Sequence, residues 1–171
     1  MTAANALTLF RAVAGMPILV AIGYGERTGA LLLFVVAAMT DALDGHLARR
    51  AGAAEGHGML LDPLADKALV LLTVSALALA GSAPLGIAAI IVVRETFVGA
   101  VRIIGYRNGV RMHAGVAAKL KTGCEMAALV LLIARPSDLV AGFGAVLLTA
   151  AAMIGILTLP AYLPHTRWRF T

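Results

Sequence analysis

The stretch that decides the fold reads Asp41-Ala-Leu-Asp44-Gly45-His46-Leu47-Ala48-Arg49, then eight residues to Gly58, then Asp62, Asp66 and Lys67. It sits between two apolar runs, residues 29–49 and 59–80. Each run has the ~20 residues that a bilayer-spanning helix needs. A carboxylate inside such a span costs about 3 kcal/mol on insertion scales. Four of them on two successive spans demand a compensating partner.

Helical geometry brings the acids together. Asp41 and Asp44 are spaced i, i+3 and share one face of their helix. Asp62 and Asp66 are spaced i, i+4 and share a face of the next. The short 50–58 connection predicts antiparallel neighbours. At ~1.5 Å rise per residue, all four then fall in one layer roughly 6–14 Å from the loop end. Unbalanced, four clustered carboxylates would repel and take up protons. Two divalent cations would balance them. An all-oxygen ligand set suits Mg²⁺ or Mn²⁺, or Ca²⁺. Such a pair, ~4 Å apart, grips a phosphoryl group and stabilises attacking and leaving oxygens. Gly45, Ala48 and Gly58 are small enough for close approach of a ligand or helix. Arg49 offers a planar fork of donors to phosphate. The competing reading pairs Asp66 with Lys67 or Arg49 as structural ion pairs, but basic partners within the spans are few.

The rest of the chain agrees with a bilayer setting. Hydrophobic residues are 61% of the 171 and charged residues 13%. Mean hydropathy is +0.93. An average soluble domain is nearer half apolar and a quarter charged. Six spans are expected, over about 6–24, 29–49, 59–80, 84–104, 117–134 and 139–159. They make one all-α membrane domain covering residues 1–171, with no linker and no internal repeat. Turn-forming breaks separate the spans, and Pro160 and Pro164 close the last. Arg11 interrupts the first apolar run and no basic segment precedes it, so that run reads as a membrane helix rather than a cleaved signal.

The net charge of +5 invites comparison with nucleic-acid binders. The distribution points to topology instead. Nine of the 14 lysines and arginines fall on the side carrying the termini and the 50–58 and 105–118 loops. Two, Arg27 and Arg135, fall on the other side, and Arg11, Lys67 and Arg94 lie within spans. The positive-inside rule puts both termini in the cytoplasm. The single cysteine, Cys124, permits no intrachain disulfide and reads as a small buried apolar residue. Trp168, Tyr24 and Tyr106 read as interfacial anchors. His46 and His57 flank the acids as surface or packing residues, and Arg94 and Glu95 read as a buried ion pair, with Glu125 as a further partner.

At the aspartate stretch the chain resembles the CDP-alcohol phosphatidyltransferase family. The family pattern is D-x2-D-G-x2-A-R-x8-G-x3-D-x3-D. All eight fixed positions match: Asp41, Asp44, Gly45, Ala48, Arg49, Gly58, Asp62 and Asp66. The resemblance implies a six-helix membrane fold, a homodimer in a bacterial plasma membrane, and a site open to the cytoplasm. It implies metal ligation by Asp41, Asp44, Asp62 and Asp66. The CDP portion is implied to lie on Asp41, Asp44, Gly45, Ala48, Arg49, Gly58 and Asp62. Asp66 corresponds to the general base on the acceptor hydroxyl. That role has a chemical reason, since an alcohol must lose its proton as the new bond to phosphorus forms.

Further segments resemble the phosphatidylglycerophosphate synthase branch: Asn5-Ala-Leu-Thr8-Leu-Phe-Arg11, Leu61-Asp-Pro-Leu-Ala-Asp-Lys67, Arg94-Glu95 with Val101-Arg102, and Lys119-Leu-Lys121-Thr122. Two positions depart from that branch. Ala118 stands where glycine is frequent, and Glu125 where glutamine is common. The implied reaction transfers a phosphatidyl group from CDP-diacylglycerol to glycerol 3-phosphate and releases CMP. A dianionic acceptor needs cations, and Arg102, Lys119 and Lys121 are expected to supply them. Two competitors are a cardiolipin synthase of the same family, using phosphatidylglycerol, and a divalent-cation transporter. A transporter should distribute acids through the full membrane depth. Here they cluster at one end.

Overall fold

The computed structural model describes residues 3–50, 61–107 and 115–162, with side chains described for 13–40, 67–105 and 115–162. The described residues form six α-helices in chain order: α1 (Ala3–Gly23), α2 (Arg27–Arg50), α3 (Leu61–Leu79), α4 (Leu85–Arg107), α5 (Val116–Ala134) and α6 (Asp138–Leu157). A short 3-10 turn, Leu159–Tyr162, follows. No strand occurs among the described residues.

Local chemistry sets the helix ends. At the end of α1, Glu26 N–H donates to Ala21 O at 2.8 Å and Gly25 N–H to Ile22 O at 3.1 Å. At the end of α3, Ser82 N–H donates to Leu77 O at 2.8 Å and Gly81 N–H to Ala78 O at 3.1 Å. Both are Schellman motifs, which need a left-handed residue after the cap. Gly25 (φ +80°) and Gly81 (φ +68°) supply it without steric cost. Pro63 falls in the first turn of α3, where its missing N–H has no intrahelical acceptor to lose. Ser137 caps α6 by accepting from Val140 N at 3.4 Å, and Asp138 adds negative charge to the first turn.

α5 and α6 form a hairpin, α1 packs on both α2 and α3, and α5 also touches both α2 and α3. Close approaches rest on small residues. A Cβ at Gly15 in α1 would lie 2.5 Å from Leu72 Cδ1 of α3. One at Gly144 in α6 would lie 2.9 Å from Leu132 Cγ of α5. The core is apolar, with Ile18, Phe34, Leu69, Leu129, Leu132 and Leu148 fully buried.

The outside is apolar too. Among the described residues twenty-two large hydrophobic side chains are exposed by more than a third, including Met16, Leu32, Val93, Phe143 and Val146. A water-facing domain does not tolerate that much contiguous apolar surface. The helices have 19 to 24 residues. At ~1.5 Å per residue that is roughly 28–36 Å, close to the ~30 Å hydrocarbon core. Among the described residues one helix, α6, is by itself long and apolar enough to cross a membrane. The physical reason is plain in the other helices. Arg94 and Glu95 interrupt α4, Lys119, Lys121 and Glu125 interrupt α5, and acids sit on α2 and α3. Those charged residues are the ones that build the site.

Candidate active site

Three helices meet around one carboxylate. Glu95 of α4 binds Lys67 of α3 through Oε2 at 2.9 Å and Lys121 of α5 through Oε1 at 2.6 Å. Arg94 Nη1 pairs with the same Oε1. Lys67 Nζ also donates to the Glu95 carbonyl at 3.0 Å. One turn along α5 from Lys121, Glu125 Oε2 lies 2.7 Å from Lys121 Nζ. Arg94 reaches the far helix as well, donating through Nε to Gly155 O (3.2 Å) and through Nη2 to Thr158 Oγ1 (3.1 Å). Arg94 lies against Gly155, where an added Cβ would meet Nε at 3.4 Å, an ordinary contact. Arg94, Glu95, Lys121 and Glu125 are all buried. In this setting every charge needs a partner, and the network provides one for each.

The network forms one wall of a cavity of about 380 Å³. Among the described residues, Lys67, Arg94, Arg102, Lys119 and Lys121 line it, opposed by Glu95 and Glu125, so this part of the lining carries three more positive than negative charges. Thr122, Tyr162, Val70, Val98 and Ala118 complete the wall. Such an excess lining a cleft favours a multiply charged anion. Arg102 is held by the turn after α6. Its Nη2 donates to Tyr162 Oη at 3.1 Å, and its guanidinium carbon lies 5.3 Å from the Tyr162 ring centroid. The ring also faces Arg94 at 5.7 Å. Such cation–aromatic contacts strengthen where water is excluded.

All three cations expected at an acceptor phosphate, Arg102, Lys119 and Lys121, line this one cavity. Their settings differ. Lys119 is exposed, Arg102 is half-buried, and Lys121 is 3% exposed and already bound to two carboxylates. Arg102 sits within α4, and Lys119 and Lys121 within α5. The expected Arg94–Glu95 pair is present, whereas Glu125 pairs with Lys121. Lys67 pairs with Glu95. Cys124 is half-buried rather than buried.

The aspartates occupy the neighbouring helix ends. Asp41 and Asp44 lie in the last three turns of α2, and Asp62 and Asp66 in the first two turns of α3. The side chains of these four, and of Gly45, Ala48 and Arg49, lie outside the described residues, as does Gly58 altogether. So do the side chains of Arg11, His46 and Tyr106, and residues His57 and Trp168. The residue types themselves fit a hard divalent cation, since all four would offer carboxylate oxygen. Along α3, Asp66 directly precedes Lys67 and lies one turn before Val70, and both of those line the cavity.

Sequence reading missed Lys67 and Tyr162 as cavity residues. For Lys67 a signal existed, a charge within a span. Tyr162 gave none, because only the turn after α6 carries it under Arg102.

Comparison with known proteins fits this arrangement. The family model for CDP-alcohol phosphatidyltransferase matches residues 1–159. A probable phosphatidylglycerophosphate synthase of Mycobacterium tuberculosis (strain ATCC 25618 / H37Rv) is 34% identical over 161 residues, covering 91% of this chain and 77% of the relative. The CDP-diacylglycerol–glycerol-3-phosphate 3-phosphatidyltransferase of Sodalis glossinidius is 37% identical, covering 80% and 77%. The protein of the same name from Escherichia coli (strain K12) is 36% identical over 172 residues, covering 94% and 92%.

Proposed function

The chain belongs to the CDP-alcohol phosphatidyltransferase family, and from that premise we propose that it transfers the phosphatidyl group of CDP-diacylglycerol to glycerol 3-phosphate and releases CMP. The observation that carries the choice of acceptor is the cavity. Its excess of positive charge suits a phosphorylated alcohol, and it borders the helix that bears Asp66. The relatives named for this reaction support the same choice.

In this reading Arg102 and Lys119 hold the acceptor phosphate, with Lys121 adding field from behind its carboxylate partners. Asp66 takes the proton of the acceptor hydroxyl as that oxygen bonds to the phosphatidyl phosphorus. The bond from that phosphorus to the CMP oxygen breaks, and CMP carries the electron pair away. Asp41, Asp44, Asp62 and Asp66 would hold divalent metal, read as two Mg²⁺ or Mn²⁺ ions, which when bound neutralises diphosphate charge. Gly45, Ala48 and Gly58 leave space for the nucleotide, and Arg49 binds its phosphates.

The setting follows from the same reading. Six helices cross a bacterial plasma membrane in one domain, with both termini and the site on the cytoplasmic side. The exposed apolar side chains on the helices support the bilayer setting, and the excess of lysine and arginine on one side supports the orientation. The protein is read as a homodimer, which mass measurement of the detergent-solubilised protein tests.

The functional test is CMP release by the purified protein from CDP-diacylglycerol with Mg²⁺ or Mn²⁺ across a panel of acceptors. Turnover with glycerol 3-phosphate, lost with chelator and in Asp66→Asn, is expected. Turnover with phosphatidylglycerol and none with glycerol 3-phosphate would overturn the assignment.

A further inference from the structure

Among the described residues two buried side-chain polar atoms have no hydrogen-bond partner, Arg102 Nε and Glu125 Oε1. Both residues line the same cavity. One atom is an obligate donor and the other, on a carboxylate, an acceptor. Leaving either unpaired is costly, so each is a standing demand for a ligand group. Glu125 is 2% exposed. Its Oε2 is fixed by Lys121, and Lys121 is in turn fixed by Glu95. Oε2 is thus the anchored oxygen, and Oε1 is the one left without a partner beside the cavity.

We propose that Glu125 is a specificity-determining residue whose Oε1 accepts a hydrogen bond from a hydroxyl of the acceptor, so that the cavity selects a polyol monophosphate. The inference rests on the proposed reaction and adds to it. A carboxylate oxygen repels phosphate and welcomes a hydroxyl. The anionic end of the ligand is therefore directed to Arg102 and Lys119, and the polyol end to Glu125. Glycerol 3-phosphate has two hydroxyls. One attacks phosphorus and gives its proton to Asp66. The other, on the central carbon, is the one Glu125 reads.

The probe is 1,3-propanediol monophosphate, which keeps the phosphate and a primary hydroxyl and lacks the central one. With wild-type protein, kcat/KM is expected to favour glycerol 3-phosphate by at least ~tenfold, as for a hydrogen bond to a charged group. In Glu125→Gln, with a weaker acceptor, the preference should fall severalfold, and in Glu125→Met it should approach one. A purely structural Glu125 would shift KM for both acceptors alike and leave their ratio unchanged. An unchanged ratio in Glu125→Gln, or a wild-type ratio near one, overturns the proposal. Should neither variant fold, the wild-type ratio decides. Absence of any turnover with glycerol 3-phosphate would instead defeat the underlying reaction, so the two failures are distinguishable.

Discussion

Lys121 Nζ lies 2.6 Å from Glu95 Oε1, and through that contact α5 is locked to α4 across the cavity wall. The same carboxylate holds Lys67 and Arg94. One acid therefore pairs with three cations from three helices. Its neighbour Glu125 supplies the second negative charge. The arrangement keeps cations concentrated at the cavity while giving each a partner.

Removal of the hub should be severe. Glu95→Gln leaves Lys67, Arg94 and part of Lys121 uncompensated in a buried setting. Breaking a buried pair from one side costs about 3–5 kcal/mol. Thermal unfolding in detergent should show a large fall in midpoint. A change of a degree or less would mean the network contributes little.

Arg102 separates binding from chemistry. Arg102→Met should raise KM for glycerol 3-phosphate by roughly tenfold or more, the worth of a charge-assisted hydrogen bond, with kcat changed far less. Tyr162→Phe removes one acceptor, Oη, and keeps the ring under the guanidinium. A rise of a few fold is expected there. Steady-state kinetics with acceptor as the varied substrate distinguishes the two.

The close helix contacts predict packing effects away from the site. Gly15→Ala must displace Leu72, and Gly144→Ala must displace Leu132. Each should destabilise by about 1–3 kcal/mol, as overpacking does. Gly123→Ala, where an added Cβ meets nothing within 4 Å, should not. Unfolding midpoints of the three variants check the order.

Metal dependence should follow the aspartates. Asp44→Asn and Asp62→Asn each remove one anionic ligand, so activity should fall by orders of magnitude and the metal concentration for half-activity should rise. A metal titration of each variant at saturating substrate measures both.

Much of this was legible in the chain. The predicted spans 84–104 and 139–159 are observed as Leu85–Arg107 and Asp138–Leu157, because glycine and proline breaks and apolar run lengths mark helix ends locally. Mid-span Arg94 and Glu95 announced a buried polar centre, since charges there must pair. Their partners were not legible. Lys67 and Lys121 lie 28 and 26 residues from Glu95, and only the tertiary arrangement of α3, α4 and α5 brings them to it. Tyr162 is the extreme case, 60 residues from Arg102 and carried there by the turn after α6.

The most direct measurement is identification of the lipid product by mass spectrometry. Purified protein in mixed micelles would receive CDP-diacylglycerol, Mg²⁺ and isotopically labelled glycerol 3-phosphate. The account predicts labelled phosphatidylglycerophosphate in equal amount to the CMP released, and neither product when chelator is present. CMP released without label in the lipid, or label incorporated with chelator in excess, would contradict it.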